Sequence, residues 1–272
     1  MKTTCVLLAV ASFTLLPVHA ATVVFADNFD APDTGNLDLS DQTGRRSGLD
    51  PAIQSRSSRI QHGIVSGQLD FLSAGTGRLR FHDDPDNNTV TAGPWHDWAT
   101  GAGSAAILGS GGMRVQFDWI AGNATSDNWV AFNVGHSAES AGEPVFRVND
   151  GATDFGILFR FIGGTQVFDN GVAAGASGLF PPVIGSRQVT IDYSFSSFAD
   201  GSNVGIAASV DGTSVYNGSF QWAGNSGGLY MELETLENTR IDNLSISSIP
   251  EPSVAALGLL CGSILMRRRR RA

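Results

Sequence analysis

Lysine is nearly missing from this 272-residue chain: Lys2 is the only one, so every other basic residue is arginine. Cysteine is scarce too. Cys5 and Cys261 sit at opposite extremes, and the stretch between them has no thiol to form a disulfide or a zinc box. Long apolar runs are confined to the two ends. No segment carries a sustained 3.6-residue apolar stripe, which argues against a helical bundle. The histidines His19, His62, His82, His96 and His136 are scattered with no metal-ligand spacing. No nucleophile elbow is present, and "GSGG" (109–112) lacks the lysine of a phosphate loop.

The ends read as processing signals. Lys2, the apolar run Val6 to Leu16 and the exit Val18-His19-Ala20 form an export leader over residues 1–20. At the other end, Ser253 to Met266 is apolar or small and is followed by Arg267, Arg268, Arg269, Arg270 and Arg271. Fourteen residues rise about 21 Å as a helix, short of a roughly 30 Å hydrocarbon core. The arginines act as a positive-inside stop, and their long stems reach headgroups. A removable N-terminal signal helix and a short C-terminal transmembrane helix are therefore expected.

Pro250-Glu251-Pro252, a short hydrophobic helix and a terminal arginine cluster together resemble the PEP-CTERM sorting signal, over residues 249–272. The resemblance implies an exosortase as processing partner. The precursor would be anchored in the inner membrane, then lose its tail and pass to the cell surface or matrix of a Gram-negative-type bacterium that makes extracellular polysaccharide.

Between these ends lies a body, 21–247, large enough for one core. It holds eleven arginines against twenty-five acids, a formal charge of −14. That excludes a nucleic-acid binder and disfavours anionic membrane surfaces. Period-two alternation marks strands at 113–119 (Met113, Val115, Phe117, Trp119 inward) and 188–195 (Val189, Ile191, Tyr193, Phe195). The same pattern recurs at 204–210 and 229–234. Asp211-Gly212 suits a type I′ hairpin, and "FADGSN" (198–203) reads as a second such turn. About a dozen strands are expected, with a plain surface connection over 36–63. The fold class is all-β, an antiparallel β-sandwich of jelly-roll type.

The opening "DNFD", the length and the closing "IDNLSIS" resemble the concanavalin A-like lectin/glucanase group, laminin-G-like domains included. In such sandwiches the first and last strands are neighbours, which implies Asp27 near Asp242 and a structural Ca2+ there. Asp84, Asp86 and Asn88 begin like a calcium loop but lack its Gly and Glu, so they read as a solvated turn. Glu232, Glu234 and Glu237 have the spacing of the E-x-D-x-x-E signature of laminarinase-type glycoside hydrolases, with Glu in place of Asp. The preferred alternative is a plain strand with Leu229, Met231 and Leu233 inward and Tyr230, Glu232 and Glu234 in solvent. A sugar face stacks on indole, so Trp95 and Trp98, in a Gly-rich loop, are ligand candidates; otherwise they plug the sandwich end. Trp129 stands at a strand start and Trp222 in "FQWAGNSGG". The expectation is a non-catalytic exported protein that binds polysaccharide, with a hydrolase or a purely structural adhesin-like component as alternatives.

Overall fold

The computed structural model describes residues 20–30, 45–49, 54–58, 62–65, 68–71, 76–82, 97–121, 129–136, 148–149, 151–180, 185–224, 228–236 and 239–249. The leader, the Pro-Glu-Pro tail, Trp95, Asp84, Asp86, Asn88 and Glu237 lie outside these residues. Among the described residues, no helix is long and apolar enough to cross a membrane.

Sixteen strands are described. They are β1 (Val23–Asp27), β2 (Arg46–Ser47), β3 (Gln54–Ser58), β4 (His62–Val65), β5 (Gln68–Phe71), β6 (Thr76–His82), β7 (Gly112–Ala121) and β8 (Trp129–Gly135), then β9 (Thr153–Arg160), β10 (Gly164–Asp169), β11 (Val172–Leu179), β12 (Ser186–Ser194), β13 (Asn203–Val210), β14 (Thr213–Gln221), β15 (Tyr230–Leu236) and β16 (Thr239–Ser248). One short helix, α1 (Ser104–Gly109), precedes β7. Sheet A runs β14-β13-β12-β7-β16-β1-β2, with β5 also on β16 and β4 on β5. Sheet B runs β11-β10-β9-β8-β15-β6-β3. Every pairing is antiparallel. The compact unit is Thr22–Ile249.

The alternation in the sequence is the alternation in space. Met113, Val115, Phe117 and Trp119 of β7, and Val189, Ile191 and Tyr193 of β12, are fully enclosed and join Phe132, Phe155 and Ile157 of sheet B in one apolar core. Aromatic pairs cross the interior. Trp119 meets Phe161 edge-on at 6.3 Å, Phe155 stacks on Phe220 at 5.1 Å, and Phe132 meets Tyr193 at 6.4 Å. Each such pair adds about 0.5–1.5 kcal/mol beyond the area it buries.

Asp211 (φ 49) and Gly212 (φ 74) both take the left-handed region, as a type I′ turn requires. Asn170 (φ 48) and Gly171 (φ 70) repeat the device between β10 and β11. In "FADGSN" only Gly201 (φ 79) has positive φ, and the Ser202 N–H donates to Ala199 O. That turn closes without the two consecutive positive φ values of type I′.

The segment 36–63 is not the plain connection its polarity suggested. It contributes β2, β3 and the start of β4. Its polarity is local, because Arg45 and Arg46 are buried against Asp27 at 2.9 and 2.8 Å. Arg46 also lies over the Phe25 ring at 5.9 Å. A buried ion pair needs both partners, so Asp27→Asn should destabilise the fold by about 3–5 kcal/mol in urea denaturation. In contrast, the Tyr193 hydroxyl is buried with no hydrogen-bond partner among the described residues. Burial pushes its phenol far above the ordinary value. Tyr193→Phe removes an unsatisfied group while keeping the ring, and should raise stability by about 1 kcal/mol in the same assay.

Candidate functional site

β1 does pair with β16, in the register Asp27↔Leu244, so the first and last strands are neighbours. The ion expected there is another matter. Asp27 Oδ1 and Oδ2 are taken by Arg45 and Arg46, and Oδ1 also accepts the Phe29 N–H at 2.9 Å. Two guanidinium groups neutralise the carboxylate that was to hold calcium. Asp242 lies at a bulge where Asn243 has φ 50. Its carboxyl is raised by burial, against an opposing bond from the Asn243 N–H, and further by Asp118, Asp30 and Asp27. No group of three or more His, Cys, Asp or Glu able to hold a metal occurs among the described residues.

Trp98 is 1% exposed and belongs to the core. Its backbone N–H donates to Leu229 O, and Asp97 Oδ1 accepts the N–H groups of Ala99 and Leu229. These bonds plug the end of the sandwich, and no ring face of Trp98 is left for a sugar. Trp222 is also buried, edge-on to Phe195 at 5.3 Å and to Phe220 at 4.9 Å.

The polar residues gather instead on the outer face of sheet B. Met231 and Leu233 of β15 point into the core as expected, but Glu232 and Glu234 are not solvated: they are 0% and 3% exposed. Glu234 Oε2 accepts the Val148 N–H at 2.9 Å and Asn133 Nδ2 at 3.2 Å. Val148 has folded back onto this face. A Cβ on Gly156 would meet Val148 Cγ2 at 2.6 Å and Asn133 Oδ1 at 2.8 Å, so only glycine admits the contact. Val148, Ala131 and Leu158 form a small second cluster, against which Trp129 and Phe168 pack.

Strand register extends the face sideways. Glu232 stands between Arg80 and Asn133, and Glu234 between Arg78 and Ala131. Trp129 stands opposite Arg160, whose Nη2 donates to Gln166 Oε1 at 2.9 Å. Trp129, Arg160 and Gln166 are partly exposed, so an indole, a guanidinium and an amide share one accessible patch. Period-two counting in β8 could have put Trp129 on this face. It could not have supplied Arg160, which is 31 residues away in sequence.

At the end of β8, His136 Nδ1 lies 2.8 Å from Asp154 Oδ1, and Asp154 Oδ2 accepts the Ala223 N–H at 3.1 Å. A Cβ on Gly224 would fall 2.5 Å from the imidazole, so the ring rests on bare backbone. Burial raises the Asp154 carboxyl to about 6, against the Ala223 and His136 hydrogen bonds, with Asp200 adding to the rise. The group bridges β9 to the loop after β14. Nothing in the sequence marked it.

No protein-family model matches the sequence, and no curated protein matches it. Similar solved structures include the potassium-bound carbohydrate recognition domain of Emp46p, 10% identical with a TM-score of 0.48, covering 81% of this chain and 97% of that one. A legume lectin-like domain from Entamoeba histolytica is 9% identical, TM-score 0.43, covering 72% and 90%. A Bacillus subtilis protein with a galectin-like fold is 8% identical, TM-score 0.42, covering 84% and 96%. These likenesses are of overall shape, and none assigns a ligand to this chain.

Asp154 makes a pH prediction. Its folded pKa lies above the unfolded value near 3.8, so the fold favours the protonated form. Its contribution to stability is complete below about pH 4 and is lost as pH rises through about 6. Asp154→Asn should therefore match the wild type near pH 4 and gain on it toward pH 6.5. The gain is on the order of 1–2 kcal/mol once screening at the partly exposed His136 is allowed for. Thermal melts of both proteins across this range would read it.

Proposed function

We propose that this chain is an exported, non-catalytic surface or matrix protein whose sandwich binds polysaccharide on the outer face of sheet B. The observation that carries the reading is Trp129, in register with Arg160 and beside Gln166 on a partly exposed patch. An indole face offers stacking to a pyranose, and the guanidinium and amide offer hydrogen bonds to its hydroxyls. Sugar sites combine such an aromatic surface with a few placed polar groups.

A hydrolase reading fares worse on geometry. A retaining mechanism needs two carboxyls about 5–5.5 Å apart across a cleft, one on each side of the scissile bond. That pair would be Glu232 and Glu237; Glu237 lies outside the described residues, and Glu232 is 0% exposed, out of reach of a substrate. The leader and the Pro-Glu-Pro, apolar and arginine segments support the rest of the proposal. On that reading an exosortase takes the membrane-held precursor, removes residues beyond the Pro-Glu-Pro motif and releases the body to the cell surface or matrix.

Glycan-array binding tests the site. Trp129→Phe, which keeps an aromatic ring on the Ala131, Val148 and Leu158 cluster but shrinks the stacking face, is expected to weaken polysaccharide binding severalfold and Trp129→Ala at least tenfold, the latter with some loss of melting temperature, whereas Glu232→Gln leaves saccharide chemistry untouched. Release of reducing ends by the wild type, abolished in Glu232→Gln, would overturn the non-catalytic reading. Intact-mass spectrometry of the protein from its own cell is expected to show a chain without residues 1–20 and without Arg267–Arg271. A native mass that retains the arginines would defeat the sorting proposal.

A further inference from the structure

We propose that the protein associates with a second copy of itself by pairing β11 with β11, edge to edge, about a two-fold axis. Among the described residues β11 has a strand neighbour on one side only, β10. Its sequence, VAAGASGL, is apolar or small throughout. Natural edge strands are blunted with lysine, other charges or proline, and β11 holds none of these. The edge strands β2, β3 and β4 do carry such groups, in Arg46, Arg56 and His62. β14, the edge of sheet A that runs beside β11, is uncharged as well. Charged residues make up 16% of the chain and the body carries −14, so a flank of two strands without an acid is where a second copy meets least repulsion.

Exposed apolar side chains gather at the same edge. Val172 is 69% exposed and Leu179 is 87% exposed, one at each end of β11. Ile162, 61% exposed, stands in the turn before Gly164, the residue opposite Leu179. Ala173, Ala174 and Gly175 are exposed too.

The register names the occupant. Ala173, Gly175, Ala176, Ser177 and Leu179 stand opposite Phe168, Val167, Gln166, Thr165 and Gly164 of β10, and the two register shifts skip Ala174 and Gly178. This pattern is symmetric about Ala176, with a paired residue one place to either side, a bulge residue at two places and a paired residue at three. A bulge twists an edge away from a regular strand and so protects it. A second copy running antiparallel, with Ala176 opposite Ala176, has its own bulges at the matching places. Ala174 then meets Gly178, and Ala173 meets Leu179. Ala173 and Leu179 stand opposite residues four apart in β10, so both belong to one side of the sheet, as pairing about an axis normal to the sheet requires. An unrelated strand would not share these offsets.

Such an axis keeps both outer faces of sheet B on one side. For the glycan site proposed above, this sets two Trp129 patches on one continuous face, seven strand spacings or roughly 34 Å apart, where a single polysaccharide can engage both. The pairing itself does not depend on that reading.

Sedimentation equilibrium of the full chain over a range of concentrations tests the pairing. Leader and tail stay in every variant, so association through the ends would survive in all of them. The wild type should reach twice the 28.6 kDa chain mass. Ala176→Glu and Ala176→Lys each set like charges opposite one another on the axis, and each should weaken the dimer about tenfold. An equal mixture of the two sets Glu against Lys and should restore it. Leu179→Glu changes a side chain that is already in solvent in the single chain, so it keeps the fold and should weaken the dimer severalfold. Should the Ala176 variants fail to fold, Leu179→Glu decides alone. Ala207→Glu, at an exposed position of β13, should leave the mass unchanged. A wild type that stays monomeric at every concentration, its edge free or taken by another protein, would overturn the proposal. A dimer that Ala176→Glu and Leu179→Glu leave intact would overturn the placement on β11. Weakened single variants whose mixture stays weak would overturn the two-fold register.

Discussion

Everything else in this fold depends on the contact between the inner faces of two sheets. With both cysteines at the chain ends, no covalent tie helps to hold the body together. The work falls to apolar surface, at about 25 cal/mol for each Å² removed from water, and to ring pairs such as Trp119–Phe161 and Phe155–Phe220 that reach from one sheet to the other. The interior is filled so fully with rings that polar atoms are stranded in it. The indole N–H groups of Trp119 and Trp222 are buried without a hydrogen-bond partner among the described residues. Packing was favoured over satisfying every donor.

Where charge is buried, it is placed at a seam. Asp27, Arg45 and Arg46 join β1 to β2 beside the pairing of β1 with β16. The arrangement gives little net stability compared with an apolar substitute, yet it is costly to break from one side. Its two halves come from β1 and from the segment at β2, so losing one loosens that seam. The outer face of sheet B follows another logic: Glu234 and Asn133 are buried beside Val148 and Glu232 is buried too, while Trp129, Arg160 and Gln166 remain within reach of solvent. The same sheet face thus has a closed polar floor and an accessible patch.

The elements that alternate strictly were legible in the sequence. β7, β12, β13 and β15 bury the residues that period two assigns to the core, and Asp211-Gly212 forms the turn its φ preferences demand. Other parts were hidden because they depend on partners far away in the chain. Arg45 and Arg46 look like surface residues until Asp27 is beside them. Glu232 and Glu234 occupy the alternation of a solvated face yet both are buried, Glu234 against the returning Val148. Trp98 sits in a glycine-rich loop, which suggests exposure, but Asp97 pins that loop onto the sandwich end. Loop aromatics and buried carboxylates are decided by tertiary contacts that no local pattern records.

The place of β16 has a consequence for the order in which the protein can be made. It is the last strand of the body, yet it sits inside sheet A, bonded to β7 on one side and to β1 and β5 on the other. Until residues 239–248 have emerged from the ribosome, β1 has no neighbour on that side and the core of sheet A has a gap one strand wide. A chain made from its N-terminus therefore remains open, with β7 edge groups unpaired, for nearly the whole of its synthesis. Such a polypeptide completes its core only when its final strand arrives.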